Sequence, residues 1–281
     1  MFAEDIGLGI LPYEFGGSIY AARLDPADYP ESAIAQLFPT RDDWLSNRLT
    51  EKIAAFIEET ASYLAHEAER WYEIVRPPTE EASPQDPVFV LEQLPLGRLT
   101  RLPWWLIQHV PRESRRRIGK RFVTISTRDV WHITIPPELG TPRQHRRLLM
   151  FLGRNPFPPP FSVDAVAPGK DSKGYDFTYH RKAHQESVAY ATRRWGWTGR
   201  GMWAEESSEY FTAHRILRFR RAQILLRDHI LDQMNTLLHR EGIKVRIVVD
   251  GLPAAEEIDS MLTRLERGTA TYADALALLK R

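Results

Sequence analysis

The sequence predicts an α+β protein in which a long central helix follows a strand-rich region and precedes two small helices. Three observations carry this prediction. Residues 205–240 contain neither Gly nor Pro, and their apolar residues recur at helical spacing. Residues 88–135 hold four short runs of β-branched and aromatic residues bounded by Pro or Gly, which is typical of mostly antiparallel strands. Residues 252–281 contain two short amphipathic patterns with helix-start signals.

The composition excludes several classes of protein. The 281 residues allow one large domain or two small ones. The 38 basic residues are balanced by 37 acidic ones, which argues against a uniformly basic DNA-coating protein and leaves room for local basic patches. Cysteine is absent, so disulfides, thiolate metal sites and cysteine nucleophiles are excluded. No apolar run approaches the ~20 residues that span a bilayer, and the first residues are acidic where a secretory signal is basic.

In chain order we divide the sequence into five segments: 1–45, 46–140, 141–204, 205–251 and 252–281. The first is predicted to be an irregular arm, because Gly and Pro interrupt every apolar run in residues 1–43. Its apolar content argues against a solvated tail. We expect the arm to pack on its own domain or on a neighbouring subunit.

The second segment combines a helix with strands. Residues 44–70 keep the period of an amphipathic helix and lead into a strand at 71–76. Residues 77–87 hold four prolines and are predicted to be a loop. The four strands are predicted at 88–94, 104–110, 121–126 and 130–135. The strongly basic connection 112–121 is interpreted as an exposed hairpin that its charges keep soluble.

The remaining segments alternate helices with irregular stretches. A short basic helix is predicted at 141–154, capped by Thr141 with Pro142 at its first position. Residues 155–177 are interpreted as an ordered Pro-rich connector, and the aromatic and Gly residues within 178–203 as a tight turn packed by tryptophans. Ser207 or Ser208 caps the long helix and Gly242 ends it. A strand at 244–251 and helices at 252–268 and from Thr271 complete the chain.

The candidate binding residues are arginines in the first half of the long helix: Arg215, Arg218, Arg220 and Arg221. Unpaired arginines along a rod suit nucleic-acid phosphates, bound non-specifically and in a salt-sensitive way. The same residues could instead be solvated or pair with acids of another subunit. Both interpretations stay open at this point.

A second candidate is a metal site at His180 and His184, which are four residues apart and follow Asp176. Histidines at this spacing share one face of a helix and can hold one metal ion. No third ligand follows at a recognisable spacing, so a solvated pair is the preferred interpretation. Phosphate-binding loops and the GxSxG and HExxH motifs are absent, and we predict neither a cofactor nor a resident metal.

The order of elements resembles the portal proteins of tailed bacteriophages. A helix at 46–70, WYEIVR, a Pro-rich tip, FVLEQLPLGRLTRL, a basic hairpin, RFVTIS and RDVWHITIPPELG resemble the wing of a portal. The stretch from EYFTAHR to VVDGLP is similar to the long stem helix followed by a return strand. The last two helices resemble the crown, and residues 155–203 stand where the clip lies.

The resemblance implies a structural virion protein that hydrolyses nothing itself. It implies a homo-oligomeric ring, usually of twelve subunits, through which double-stranded DNA is packaged and ejected. The ring is assembled in the host cytoplasm, and capsid, terminase and neck or adaptor proteins are the implied partners; no membrane is involved. Two alternatives stay open: a metal-dependent nucleic-acid-processing enzyme or accessory factor that uses His180 and His184, and a two-domain interaction protein without nucleic acid.

Overall fold

The computed structural model describes residues 2–11, 20–40, 48–76, 87–154, 177–197 and 208–279, without the side chains of Arg116, Ile118 and residues 177–182. The predicted α+β class is confirmed, and every strand pairing among the described residues is antiparallel. The elements are α1 (Phe2–Gly7), β1 (Ala21–Asp25), α2 (Glu31–Leu37), α3 (Leu49–Glu67), β2 (Glu69–Val75), β3 (Val90–Leu94), β4 (Leu99–Arg101), β5 (Trp105–His109), α4 (Arg115–Ile118), β6 (Phe122–Ser126), β7 (Val130–Thr134), α5 (Pro142–Arg154), α6 (Phe177–Ala191), α7 (Glu209–Arg240), β8 (Arg246–Asp250), α8 (Ala255–Glu266) and α9 (Tyr272–Leu279).

The chain divides into two compact units. Unit 1 contains Met1–Ile6, Pro136–Leu226 and Pro253–Arg281, and unit 2 contains Gly7–Ile135 and Arg227–Leu252. The long helix α7 contributes its first half to unit 1 and its second half to unit 2. The five segments drawn from the sequence stay a prediction.

Unit 2 is layered as helix, sheet and sheet. Phe56 of α3 stacks on Trp131 of β7, which in turn stacks on Tyr72 of β2, and all three rings are buried. These contacts cover one face of the sheet with strand order β3-β2-β7. Its other face packs against the sheet β4-β5-β6 through one buried cluster, consisting of Trp71, Leu94, Leu106, Ile125 and Val130.

A two-stranded ribbon, β1-β8, joins the two ends of unit 2. Ala21 lies opposite Asp250 in this ribbon, although the two residues are far apart in the sequence. Asn235 of α7 fastens β8 to the helix, because its amide oxygen accepts from the Ile247 N–H and its amide nitrogen donates to the Ile247 carbonyl. The helix ends at Arg240, and Gly242 just beyond it has a φ of 80°, as is typical of the glycine that terminates a helix.

Unit 1 is a helical unit built around the first half of α7. The buried residues of this core come from α7, α8 and α9: Ala213, Leu217, Ile224, Ile258, Met261, Leu265 and Ala275. Predicted caps are confirmed at three helices, where Thr141, Ser208 and Thr271 each accept a backbone N–H from the first turn. None of the described helices is both long and apolar enough to cross a membrane.

A second core in unit 1 is aromatic and forms around a tight turn. Phe2 of α1 makes edge contacts with Trp195 and Trp197, at centroid distances of 5.6 and 5.3 Å. Gly196 between them has a φ of 70°, and a Cβ added there would lie 2.4 Å from the Phe219 nitrogen of α7. The turn therefore approaches the α7 backbone at a distance that only glycine allows. The predicted turn packed by tryptophans is confirmed for residues 192–197.

One prediction needs correction, and further elements were not predicted. Residues 1–43 were expected to be irregular, but the described part contains α1, β1 and α2. These elements form because β1 pairs with β8 and because Phe2 and Ile6 are buried, and short-range patterns do not carry that information. The helix α6 and the strand β4 were not predicted either. The predicted loop tip at 77–86, the connector at 155–176 and residues 198–207 lie outside the described residues.

Candidate nucleic-acid interface

Arg215 is a structural cation inside unit 1. Its side chain is buried and donates to the carbonyl oxygens of Ala189 and Trp197 and to the Thr192 hydroxyl. Burial, together with the nearby charge of Arg218, lowers the pKa of Arg215 to about 10. These hydrogen bonds hold the end of α6 and the tryptophan turn against α7. The Arg215 guanidinium therefore makes its contacts within unit 1.

Arg218 is half-buried one turn further along α7. Its charge helps to lower the pKa of Arg215. It also helps to lower the pKa of His214, for which burial is the larger cause. Arg215 and Arg218 are therefore close enough to interact electrostatically, and the lowered pKa of His214 favours its neutral form. Glu266 lies 3.6 Å from His214 and opposes the shift of the His214 pKa.

Arg221 and Arg220 have different surroundings. The Arg221 guanidinium faces the Asp259 carboxylate of α8 with two parallel hydrogen bonds, the longer being 3.0 Å. This bidentate pair joins α7 to α8 within unit 1. Arg220 is half-buried, and its Nη1 lies 3.4 Å from the Gln223 amide oxygen. The four predicted arginines are therefore distributed around the helix and do not converge on one point.

His180 and His184 share the helix α6, as the sequence spacing requires. The side chain of His180 lies outside the described part of the structure, while His184 is half-buried. Within the described residues, no group of three or more His, Asp or Glu side chains could hold a metal ion. The preferred interpretation, a solvated histidine pair, stays a prediction, and the metal site stays the alternative.

A cleft in unit 1 brings together arginines that the sequence analysis did not single out. Arg147 of α5 and Arg193 and Arg194 beyond α6 line a cleft of about 500 Å³ whose lining contains no carboxylate. Arg194 donates to the Gln144 side chain at 2.8 Å, and Arg193 lies 4.0 Å above the Tyr190 ring. The cleft is therefore positively charged. The adjacent arginines at 146–147 and 193–194 were the feature of the sequence that could have indicated it.

No protein-family model, curated protein or solved structure matches this chain.

Two further polar residues have structural roles. His132 stacks on Trp71 and bonds the Glu69 carboxylate at 3.0 Å. Asp250 ends β8 and forms an exposed ion pair with Arg23 of β1.

Proposed function

We propose that the protein is a structural component of a tailed-phage virion, a portal subunit that forms a ring around double-stranded DNA. The observation that carries the proposal is the helix α7. Its 32 residues form a rod of about 48 Å, and it is followed by β8, α8 and α9. A stem helix, a return strand and crown helices occur in this order in the portal family that the sequence resembles.

The distribution of charge along α7 supports weak DNA contact. Arg215 and Arg221 are engaged within the subunit, so we assign them to holding the stem in place. Arg218 and Arg220 are half-buried, and Arg220 also donates to Gln223. These are the two members of the predicted set that we assign to the DNA phosphates. A channel must let DNA move, and a small number of non-specific contacts leaves it mobile, whereas many would retain it.

The proposed ring needs partners that the resemblance supplies. Homo-oligomeric contacts close the ring, and capsid, terminase and neck or adaptor proteins attach to it in the virion. The proposed role requires no catalytic residue and no cofactor. The subunit's contribution is the position of its stem and the charge along it.

Assembly tests the proposal directly. Light scattering coupled to size exclusion, over a wide range of protein concentration, should give a species near twelve times the chain mass of 32.5 kDa. Negative-stain micrographs of that species should show rings with a central opening. A monomer or dimer at every concentration would refute the proposal.

The assignment of Arg218 and Arg220 has a separate test. On assembled rings, the variant R218A/R220A should bind duplex DNA more weakly and with a smaller dependence on salt, since each lost phosphate contact reduces the salt slope by about one. The matched control is R264A/R267A, which removes the same charge from α8 and its C-cap. Equal loss in both variants would contradict the assignment.

A further inference from the structure

The strongest charge segregation in the chain lies outside the long helix. Residues 96–128 contain a single acid, Glu113, and nine basic residues: Arg98, Arg101, Arg112, Arg115, Arg116, Arg117, Lys120, Arg121 and Arg128. The whole chain has a net charge of only +1, so the remaining residues are acidic on balance. Such separation within a nearly neutral protein marks a surface that attracts an anionic partner.

These residues belong to the sheet β4-β5-β6 and its connections. Leu106 and Ile125 point to the inner face, where they join the buried cluster with Trp71. Residues alternate between the two faces of a strand, so Trp105, Ile107 and His109 lie on the outer face. The pairing register places Phe122 of β6 opposite His109 on that face. The basic connection 112–121 contains α4 and joins β5 to β6.

Large aromatic side chains on this sheet are exposed. Trp105 is 50% exposed and Phe122 is 52% exposed, although both belong to regular strands. The adjacent hairpin residue Trp104 is 76% exposed, while its carbonyl accepts bonds from the Thr127 backbone and hydroxyl. The Leu102 N–H donates to the Trp105 carbonyl and closes the hairpin. Exposed aromatic rings on a backbone held in this way are typical of a binding surface.

The cations of this region form no salt bridges within the described part of the chain. Arg98, Arg101, Lys120, Arg121 and the other basic side chains of this region that the structure describes form no salt bridge with a described carboxylate. Arg101 is paired with Leu106 and lies over the Trp71 ring at 5.6 Å, so it belongs to the inner face, and Arg115 donates to the Val110 carbonyl. The other basic side chains described in this region are exposed. The charge of these other side chains is therefore available to a ligand.

We propose that the outer face of β4-β5-β6 binds single-stranded nucleic acid. Unpaired bases stack on Trp105 and on Phe122, and the surrounding arginines and lysines bind the phosphates. Trp105 and His109 are four residues apart along β5, which separates the two aromatic positions by about 13 Å. That distance allows one strand to cross the sheet and use both rings.

The aromatic residues decide between this ligand and other polyanions. A duplex presents its phosphates and keeps its bases stacked inside, so it would use the arginines and leave Trp105 and Phe122 without a role. An anionic membrane would engage the hairpin tip at Trp104 in preference to the middle of the sheet. Unpaired bases account for both the charge and the exposed rings.

Fluorescence anisotropy with labelled oligothymidylate and oligouridylate of equal length tests the proposal, with a hairpin duplex and anionic vesicles as competitors. We expect at least one single strand to bind more tightly than the duplex, and the preferred sugar identifies DNA or RNA as the source. W105A should weaken binding by tenfold or more, since the loss of one base–aromatic stack has about this effect. W105F should restore most of the affinity, because the ring face is kept.

Two control variants separate stacking from general effects. F211A removes another exposed aromatic ring, 41% exposed and in unit 1, and should leave affinity unchanged. K120A/R121A should weaken binding and reduce its salt dependence. Every comparison is made in the R218A/R220A background, which removes the duplex contacts assigned to α7. In that background the proposal is overturned if duplex or vesicles bind more tightly, if no single strand binds, or if W105A binds as tightly as its parent. Ring assembly is measured separately by light scattering, so failure here leaves the proposed function intact, and the reverse also holds.

Discussion

Substitution of Gly196 by alanine should strongly lower the stability of unit 1. The residue has a φ of 70°, and adoption of the left-handed region by alanine costs about 1–2 kcal/mol. Its Cβ would also lie 2.4 Å from the Phe219 nitrogen and 2.7 Å from the Arg218 carbonyl carbon. Both are backbone atoms of α7 and cannot yield as a flexible side chain does, so overpacking adds about 1–3 kcal/mol. The expected loss is roughly 2–5 kcal/mol in the free energy of unfolding.

Urea denaturation followed by tryptophan fluorescence measures this loss, since Trp195 and Trp197 flank the substituted residue. Protein concentration must be equal in every sample, because assembly would stabilise the folded subunit. Gly268→Ala is the matched control: its φ is 69°, it lies in the same unit, and its added Cβ would meet no atom within 4 Å. Equal midpoints for the two variants would refute the close approach of the turn to α7.

Three further predictions concern charge. Arg221→Ala and Asp259→Ala should each lower the free energy of unfolding by about 1 kcal/mol. Because both substitutions remove the same ion pair, the double variant should lose no more than the larger single loss. Additive shifts in melting temperature would contradict the pairing. Glu92→Gln should stabilise unit 2 by up to ~1 kcal/mol at pH 7, because Glu92 lies opposite Glu73 in the pairing of β2 and β3. Burial raises the pKa of Glu73, and the Glu92 charge raises it further. An unchanged or lower melting temperature would count against this prediction. The pKa of His214 is lowered in the folded state, so the unfolded chain binds the proton at a higher pH. The free energy of unfolding should therefore fall as the pH drops through about 6.5. Denaturation curves at several pH values measure this dependence, and His214→Gln should weaken it.

Short-range patterns predicted much of the secondary structure. The period of residues 44–70 corresponds to α3, and the β-branched runs after residue 88 correspond to β3, β5, β6 and β7. Caps at Thr141 and Thr271 were readable because a hydroxyl and its partner lie within one turn. The element β1 was not readable, since its partner β8 is more than 200 residues away and its own sequence is short.

The candidate sites show the same limit more sharply. Arg215 and Arg221 look equivalent in the sequence, as arginines on one helix in a basic stretch. The structure buries Arg215 under the tryptophan turn and pairs Arg221 with Asp259, so each has its own partner. The basic connection 112–121 was interpreted as a solubilising hairpin from its charges alone. The structure adds that Trp105 and Phe122, in the strands that this connection joins, are exposed, which the sequence does not tell.

The sequence by itself determined the α+β class, the helices α3, α5, α7, α8 and α9, most of the strands, several caps and the local excess of charge. These follow from interactions among residues within a few positions of each other, which periodicity and residue type record. Only the tertiary structure decided that Gly196 touches α7, that Arg215 is an internal cation, and that Trp105 and Phe122 remain exposed beside unpaired arginines. Those outcomes depend on which distant surface covers each face, and a linear pattern does not specify its partner.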